Sequence, residues 1–381
     1  MDARLTDEQR RMQETAREFL EDEGGTELAR RVMDGEDGVV DDLWAELGSM
    51  DYTALTVPFD YGGLGEGMVY LAAVLEAAGR YAMPGPFPET AAAVVPLVDE
   101  LGTHDQREDV LSAIADGELV ATLALYDDRN ASLPGTVRMD AERDGDGFRL
   151  DGTKTLVPYA GVADRIVVAT RTRTESGYGG ISLFLVDPAT EGVEADELNG
   201  LDRTRPTYEL AFDDVRVGED ALLGTLHGGG DALRRATDRL AVATTAMLVG
   251  AADRAVELSA EYGNERTQYG QPIGRFQAVK HRIADMWMDM QSARSLVYYA
   301  AWAIDEDDPD ATRATAATKA FAADRLHRVF GDDIWNHGGM GFTWDHDGHI
   351  YLKQAKAWRN LYGTPEEYND RLLESRLAGL E

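Results

Sequence analysis

Arg266-Thr-Gln-Tyr-Gly-Gln-Pro-Ile-Gly-Arg-Phe-Gln277 sets an arginine, aromatic rings, glycines and amides at fixed spacing between two stretches of helical periodicity. An arginine ahead of a glycine-containing turn and a helix start suits an anionic group. The guanidinium pairs with it, and the first N–H groups of the helix are free to donate. Spacing alone fits a plain helix–loop–helix corner with a solvated arginine equally well, so both readings stay open here. Downstream, Phe276, Val279, Ile283, Met286 and Met290 step by three and four, which predicts one apolar helical stripe. A second long helix is expected over Ala314 to Phe330, after a turn marked by Pro309 and the acidic Asp305-Glu306-Asp307-Asp308.

Working back towards the N-terminus, the period changes. From about 119 to 224 the apolar runs are short and β-rich: Leu119 to Leu125, Arg165 to Thr170, Ile181 to Val186, and the alternating Tyr208 to Phe212. Gly145-Asp146-Gly147 reads as a turn between two strands. This stretch predicts a small antiparallel β-barrel or sandwich. Before it, residues 1 to about 118 read as helical. Thr6-Asp7-Glu8-Gln9 is a capping box, and Met12, Ala16, Phe19 and Leu20 follow at helical spacing. A helix rich in Ala, Leu and Val is expected over 68–80, and Pro84, Pro86 and Pro88 predict a stiff, non-helical connection after it. The fold class is therefore α+β and multi-domain. A helical domain occupies 1–118, an antiparallel β-barrel 119–225, and a C-terminal four-helix bundle 226–381.

Composition narrows the function classes. At 381 residues the chain can bury several cores. It contains no run of 18 or more apolar residues, so no membrane span is expected, and its acidic start lacks the apolar core of a secretory signal. With no cysteine there are no disulfides, thiolate metal sites or cysteine nucleophile, and a cytoplasmic location is expected. Seventy acidic residues oppose 37 basic ones, of which only Lys154, Lys280, Lys319, Lys353 and Lys356 are lysines, for a net charge of −33. Self-repulsion at that density is relieved in molar salt, where the Debye length falls to about 3 Å, so the chain reads as halophilic. It also lacks the basic face that nucleic-acid binding needs. His337, His346 and His349 with Asp345 and Asp347 invite a metal reading, but Phe342 and Trp344 interleave them and no metal is expected.

Arg266-x-x-Tyr269-Gly270-x-x-Ile273-x-x-Phe276-Gln277, followed by Ala278-Val279-Lys280-His281, resembles the acyl-CoA dehydrogenase flavoprotein family. The resemblance runs the length of the chain in order. It takes in Leu5 to Arg10, Val57-Pro58, Tyr61-Gly62-Gly63-Leu64-Gly65 and Gly79-Arg80. Leu150-Asp151-Gly152-Thr153-Lys154 and Phe212 to Val217 follow, then His337 to Trp344 and Tyr362-Gly363-Thr364. It implies FAD as cofactor, an acyl-CoA thioester as substrate, an electron-transfer flavoprotein as electron acceptor, and a dimer or tetramer. In this family a carboxylate takes the α-proton of the thioester and the flavin takes the β-hydride. By resemblance Arg266 faces the FAD pyrophosphate, with Tyr269, Ile273, Phe276 and Gln277 around it. Gly338 and Gly339 admit close backbone approach, Trp335 stands where the family often has Gln, and Thr364 completes the set.

The departures are as specific. Tyr126-Asp127-Asp128-Arg129 replaces a Thr-Glu-Pro-Gly-like segment, and Leu156-Val157-Pro158 replaces the family's Trp-x-Thr beside the flavin. The family's usual glutamate base is Tyr362 here. The alternative position on the preceding helix is Leu240, and the nearby carboxylate is Asp238, roughly 200° around that helix. Asp238 is the candidate base; Glu366 and Glu367 are the other carboxylates near the terminal Gly-Thr. Leu240, Thr244 and Met247 are expected to line an acyl pocket with room for a bulky group. Two functions follow: an active α,β-desaturating dehydrogenase, or a non-catalytic subunit that completes the FAD site of a heteromeric one.

Overall fold

The protein is described by a computed structural model over residues 5–129 and 135–378. In chain order its helices are α1 (Asp7–Asp22), α2 (Thr26–Met33), α3 (Val39–Ser49), α4 (Met68–Arg80), α5 (Phe87–Glu89), α6 (Val95–Leu101), α7 (His104–Ala115), α8 (Gly230–Glu265), α9 (Gln277–Asp305), α10 (Ala311–His337), α11 (Gly348–Trp358) and α12 (Pro365–Ala378). Its strands are β1 (Ala121–Ala124), β2 (Asp140–Asp144), β3 (Gly147–Pro158), β4 (Arg165–Arg171), β5 (Ile181–Val186), β6 (Val193–Leu198), β7 (Thr207–Gly218), β8 (Leu222–Leu223), β9 (Thr267–Gln268) and β10 (Gln271–Pro272). Helical N- and C-terminal parts thus flank a β middle.

The chain packs into two compact units. The first gathers Met1–Met33, Met68–Met83 and Ala241–Glu381; the second gathers Asp34–Gly67 and Pro84–Leu240. Packing therefore groups the helices differently from the contiguous stretches 1–118, 119–225 and 226–381. α1, α2 and α4 join the C-terminal helices, while α3 and α5 to α7 join the strands.

In the first unit, the expected capping box opens α1: Gln9 N–H donates to Thr6 Oγ1 at 3.2 Å, and Thr6 N–H donates to Gln9 Oε1 at 2.9 Å. Ala16 and Leu20 are the buried face. α4 is apolar enough to be buried along most of its length. It crosses α8 so closely that a Cβ added at Gly79 would lie 1.8 Å from Met247 O, and one at Gly250 would lie 1.8 Å from Glu76 O. Only glycine allows that backbone-to-backbone approach. α10 carries a buried lysine: Lys319 donates through Nζ to Trp358 O at 2.9 Å, at the C-terminal end of α11. Burial without a carboxylate partner brings its pKa down to about 7.

In the second unit the strands make two four-stranded sheets, ordered β1-β4-β5-β8 and β2-β3-β7-β6. Apolar residues of both sheets share one core, where Phe148 and Phe184 meet edge to face at 5.0 Å. The Gly145–Gly147 turn falls where it was read, between β2 and β3. The barrel expectation is corrected. No closed barrel forms among the described residues, and β1 pairs with β4 in parallel, Ala121 opposite Arg165, so the middle is not wholly antiparallel. The proline-rich connection is corrected too. Phe87 and Pro88 open a helix, where a missing N–H is harmless. The chain then winds through a π turn at Thr90–Val94 before Pro96, which cannot donate to the turn behind it.

Candidate functional site

Two neighbourhoods carry the predicted site residues, one in each unit. In the first unit α8 ends at Glu265, and a short β9–β10 hairpin carries the chain to α9. Ile273 N–H donates to Arg266 O at 2.8 Å and closes the hairpin. Arg266 is exposed. Tyr269 is 94% exposed with φ at +52°, a left-handed conformation that costs a non-glycine residue free energy. Its ring meets Phe276 edge-on at 6.0 Å. α9 begins at Gln277 without a side-chain cap, so its first N–H groups point outward unfilled by its own chain. Arginine, held-out aromatic ring and uncapped helix start together fit a phosphate-bearing group.

The glycine turn after α10 lies at the same end of the bundle. The Arg282 guanidinium on α9 stands 5.9 Å from the Trp335 ring centroid, and the Tyr262 ring on α8 is 4.7 Å from His337. Trp335 is 71% exposed and Phe342 78%, an unusual outlay of apolar surface. The glycines have separable reasons. Gly338 terminates α10 at φ +60°, and a Cβ at Gly341 would strike Ile334 O at 2.6 Å. Gly339 has neither constraint, since a Cβ there meets nothing within 4 Å. It is the glycine left for approach by something outside the chain.

Asp333, His337 and His346 lie behind this turn, with one ligand atom from each within 4.8 Å of the others. Asp333 Oδ1 accepts from Ser259 at 2.7 Å and sits 3.2 Å from His337 Nδ1. Burial works against a charge on His337, but the Asp333 carboxylate outweighs it and raises the pKa. A protonated Nδ1 is a donor, not a metal ligand. The other residues of the sequence cluster are engaged elsewhere. Asp347 accepts from Arg30 Nε at 3.1 Å and Thr26 Oγ1 at 2.8 Å, and His349 Nε2 lies 3.2 Å from Trp344 O.

In the second unit the departures are visible as geometry. β3 breaks register with β7 between Lys154 and Val157, and Thr155 N–H turns to Tyr126 O at 2.7 Å. Leu156 sits at the break with φ +55°, and Pro158 offers no N–H. Beneath them Lys154 is fully buried and ion-paired with Asp127. Burial pulls the Lys154 pKa down and Asp127 opposes the fall. Asp127 also accepts from the Met139 N–H at 2.6 Å, so it ties β3 to the chain before β2. A cleft of about 390 Å³ opens beside this break, lined by Asp127, Asp128, Arg129, Arg138, Thr155 and Glu209. Its Arg129 is already bonded to Thr155 Oγ1 at 3.1 Å and Glu209 at 2.8 Å. This stretch provides no indole and no free hydroxyl to a flavin ring, whereas the Arg266 end does fit the phosphates of a dinucleotide.

The candidate bases separate as well. Asp238 on α8 is buried, with Arg234 Nη1 3.9 Å away. Tyr362 is buried at φ +60°, and its carbonyl accepts from Tyr368 OH at 2.9 Å. Thr364 caps α12: Glu367 N–H donates to Thr364 Oγ1 at 3.2 Å, and Thr364 N–H donates to Glu367 Oε2 at 3.0 Å. That capping box occupies Glu367 and gives Thr364 a structural task the sequence reading passed over, although Thr-Pro-Glu-Glu spells the signal. Leu240, Thr244 and Met247 are all buried, and Met247's backbone is in the α4–α8 crossing.

Residues 6–118, 127–215 and 227–375 match the families described as Acyl-CoA dehydrogenase, N-terminal domain, middle domain and C-terminal domain. The Mycobacterium tuberculosis protein named "Probable acyl-CoA dehydrogenase FadE25" is 30% identical over 328 residues, spanning 84% of this chain and 82% of that one. The structure of butyryl-CoA dehydrogenase from Megasphaera elsdenii matches with a TM-score of 0.91 at 25% identity, covering 99% of this chain and 100% of that chain. A chain from the structure of the electron transferring flavoprotein of Acidaminococcus fermentans matches with a TM-score of 0.92 at 26% identity, over 99% and 100% of the two chains.

Proposed function

Because this chain belongs to the acyl-CoA dehydrogenase family, we propose that it is an FAD-dependent acyl-CoA dehydrogenase that introduces an α,β double bond into an acyl-CoA thioester. FAD is the cofactor that goes with that membership, and when bound it supplies the acceptor for the β-hydride. The observation that carries the reading is the Arg266 end of the helical bundle. There an exposed arginine, a tyrosine held out in a left-handed conformation, an uncapped helix start and an unconstrained glycine lie together.

In this reading Arg266 pairs with the pyrophosphate and the first N–H groups of α9 add to it. Tyr269 and Phe276 flank the group, Ile273 and Gln277 position it, Gly339 and Gly338 let it approach, and Trp335 covers it. Asp238 is the proposed base for the α-proton, kept ionised by Arg234. The exposed Trp335, Phe342 and Met340 suit burial in a dimer or tetramer. An electron-transfer flavoprotein is the proposed acceptor of the electrons. Among the described residues no helix is long and apolar enough to cross a membrane; a cytoplasmic location is proposed.

A second reading is favoured by one specific observation. Leu156 and Pro158 at the β3 break, with Tyr362 in the base position, leave the flavin ring and the proton abstraction poorly served. The chain would then complete the FAD site of a homologous partner that holds the base. The visible spectrum of the chain purified alone in molar KCl tests both. A flavin band that bleaches on adding acyl-CoA supports the dehydrogenase, and Asp238→Asn should then lower kcat by about 10²- to 10⁴-fold. A colourless protein that gains flavin only on co-expression with a homologous chain refutes the self-sufficient enzyme.

A further inference from the structure

A second polar site lies in the helical unit, away from the Arg266 end. α1, α4 and α9 enclose a cleft of about 560 Å³ whose lining is hydrophilic apart from Leu5. Gln13 ties the three helices together at its floor, donating through Nε2 to Ala73 O and to Tyr298 OH, both at 3.3 Å. In a chain with nearly twice as many acidic as basic residues, Arg10, Arg17 and Arg294 all line this one cleft.

The carboxylates here are already matched. Glu76 accepts from Arg294 Nε at 3.0 Å and from Tyr298 OH at 2.8 Å. Asp253 is shared by Arg294 Nη2 at 3.3 Å and Arg80 Nη1 at 3.4 Å. Arg17 is what remains. It stands 4.0 Å from Glu76 and 3.8 Å from Asp253, beyond hydrogen-bonding distance of both. Its Nε is buried without a partner. A guanidinium whose planar fork faces an open polar cleft unbonded is arranged to receive a planar or tetrahedral oxyanion. Gln13, Gln291 and Ser295 add side-chain polar groups around the same space. The near-absence of apolar lining excludes an acyl chain, and the volume exceeds what one phosphate needs.

We infer that this cleft binds a small phosphate monoester, with its phosphate on Arg17 and Arg10 and its hydroxylated remainder among the amide and hydroxyl side chains. The function proposed above does not use this site. The test is a titration of the full chain with inorganic phosphate and, separately, glycerol phosphate, followed by ³¹P NMR at fixed ionic strength. The expected result is saturable binding, tighter for the ester, and weakened at least tenfold in Arg17→Gln. Arg149→Gln, on the surface of β3, should bind as the parent does. If Arg17→Gln does not fold, Arg17→Lys keeps the charge but loses the fork and should bind at least threefold more weakly. No saturable binding of either probe, or Arg17 variants that bind as the parent does, overturns the inference.

Discussion

Lys319 offers the sharpest test of the helical unit. Its ammonium is fully buried on α10, held only by Trp358 O, and its pKa is brought down to about 7 from 10.5. The folded state therefore binds the proton less readily than the unfolded state does. Below pH 7 both states are protonated and folding carries the full burden of the buried charge. Between about 7 and 10.5 only the unfolded chain stays protonated, so stability rises with pH. The span is roughly three and a half pH units at ~1.4 kcal/mol each, about 5 kcal/mol in all. Lys319→Met removes the titration and leaves one carbonyl short of a donor, a cost of about 1–3 kcal/mol that does not vary with pH. Urea unfolding in molar KCl at pH 6, 7.5 and 9.5 separates the two effects. The variant should equal or exceed the parent at pH 6. Between pH 7.5 and 9.5 the parent should then gain on it by roughly 2–3 kcal/mol. A difference that stays flat across the three pH values refutes the buried-lysine argument.

Other outcomes follow from the packing. Gly250→Ala should destabilise by roughly 2–3 kcal/mol despite alanine's better helix propensity, because its Cβ would meet Glu76 O at 1.8 Å; an unchanged or higher Tm contradicts the close α4–α8 crossing. Asp127→Asn, which strands the buried Lys154, should cost about 3–5 kcal/mol by chemical denaturation, and a loss below 1 kcal/mol would mean the pair is dispensable. A net charge of −33 should make the Tm rise from dilute to molar KCl. Higher stability in dilute buffer would end the halophilic reading.

What the sequence revealed was local. The Thr6–Gln9 box and the Gly145–Gly147 turn involve residues three apart or fewer, and both appear where they were read. The parallel pairing of β1 with β4 joins Ala121 to Arg165 across more than forty residues, and no short-range periodicity encodes it. Pro88 was misread because a proline that breaks a helix interior is harmless in its first turn. The site divides in the same way. Arg266, Tyr269 and Gln277 are legible because one short hairpin presents them all. Asp127 with Lys154, and Asp333 with His337 and His346, meet only through tertiary packing. Thr364 was legible as a cap, but its place in a motif drew the reading towards cofactor binding.

The division of the chain between its two units has a consequence for synthesis. The first unit takes α1, α2 and α4 from the N-terminal third but needs Ala241 onward to complete it. A ribosome adding about 5–20 residues per second takes roughly 15–60 s to make the chain that follows α4. Through that interval α4, apolar along most of its length, has no native partner from the late helices. The second unit, complete once Leu240 is made, is free to fold first. The nascent chain therefore carries an unpaired apolar helix past a finished neighbour, which makes α4 the segment most in need of a chaperone.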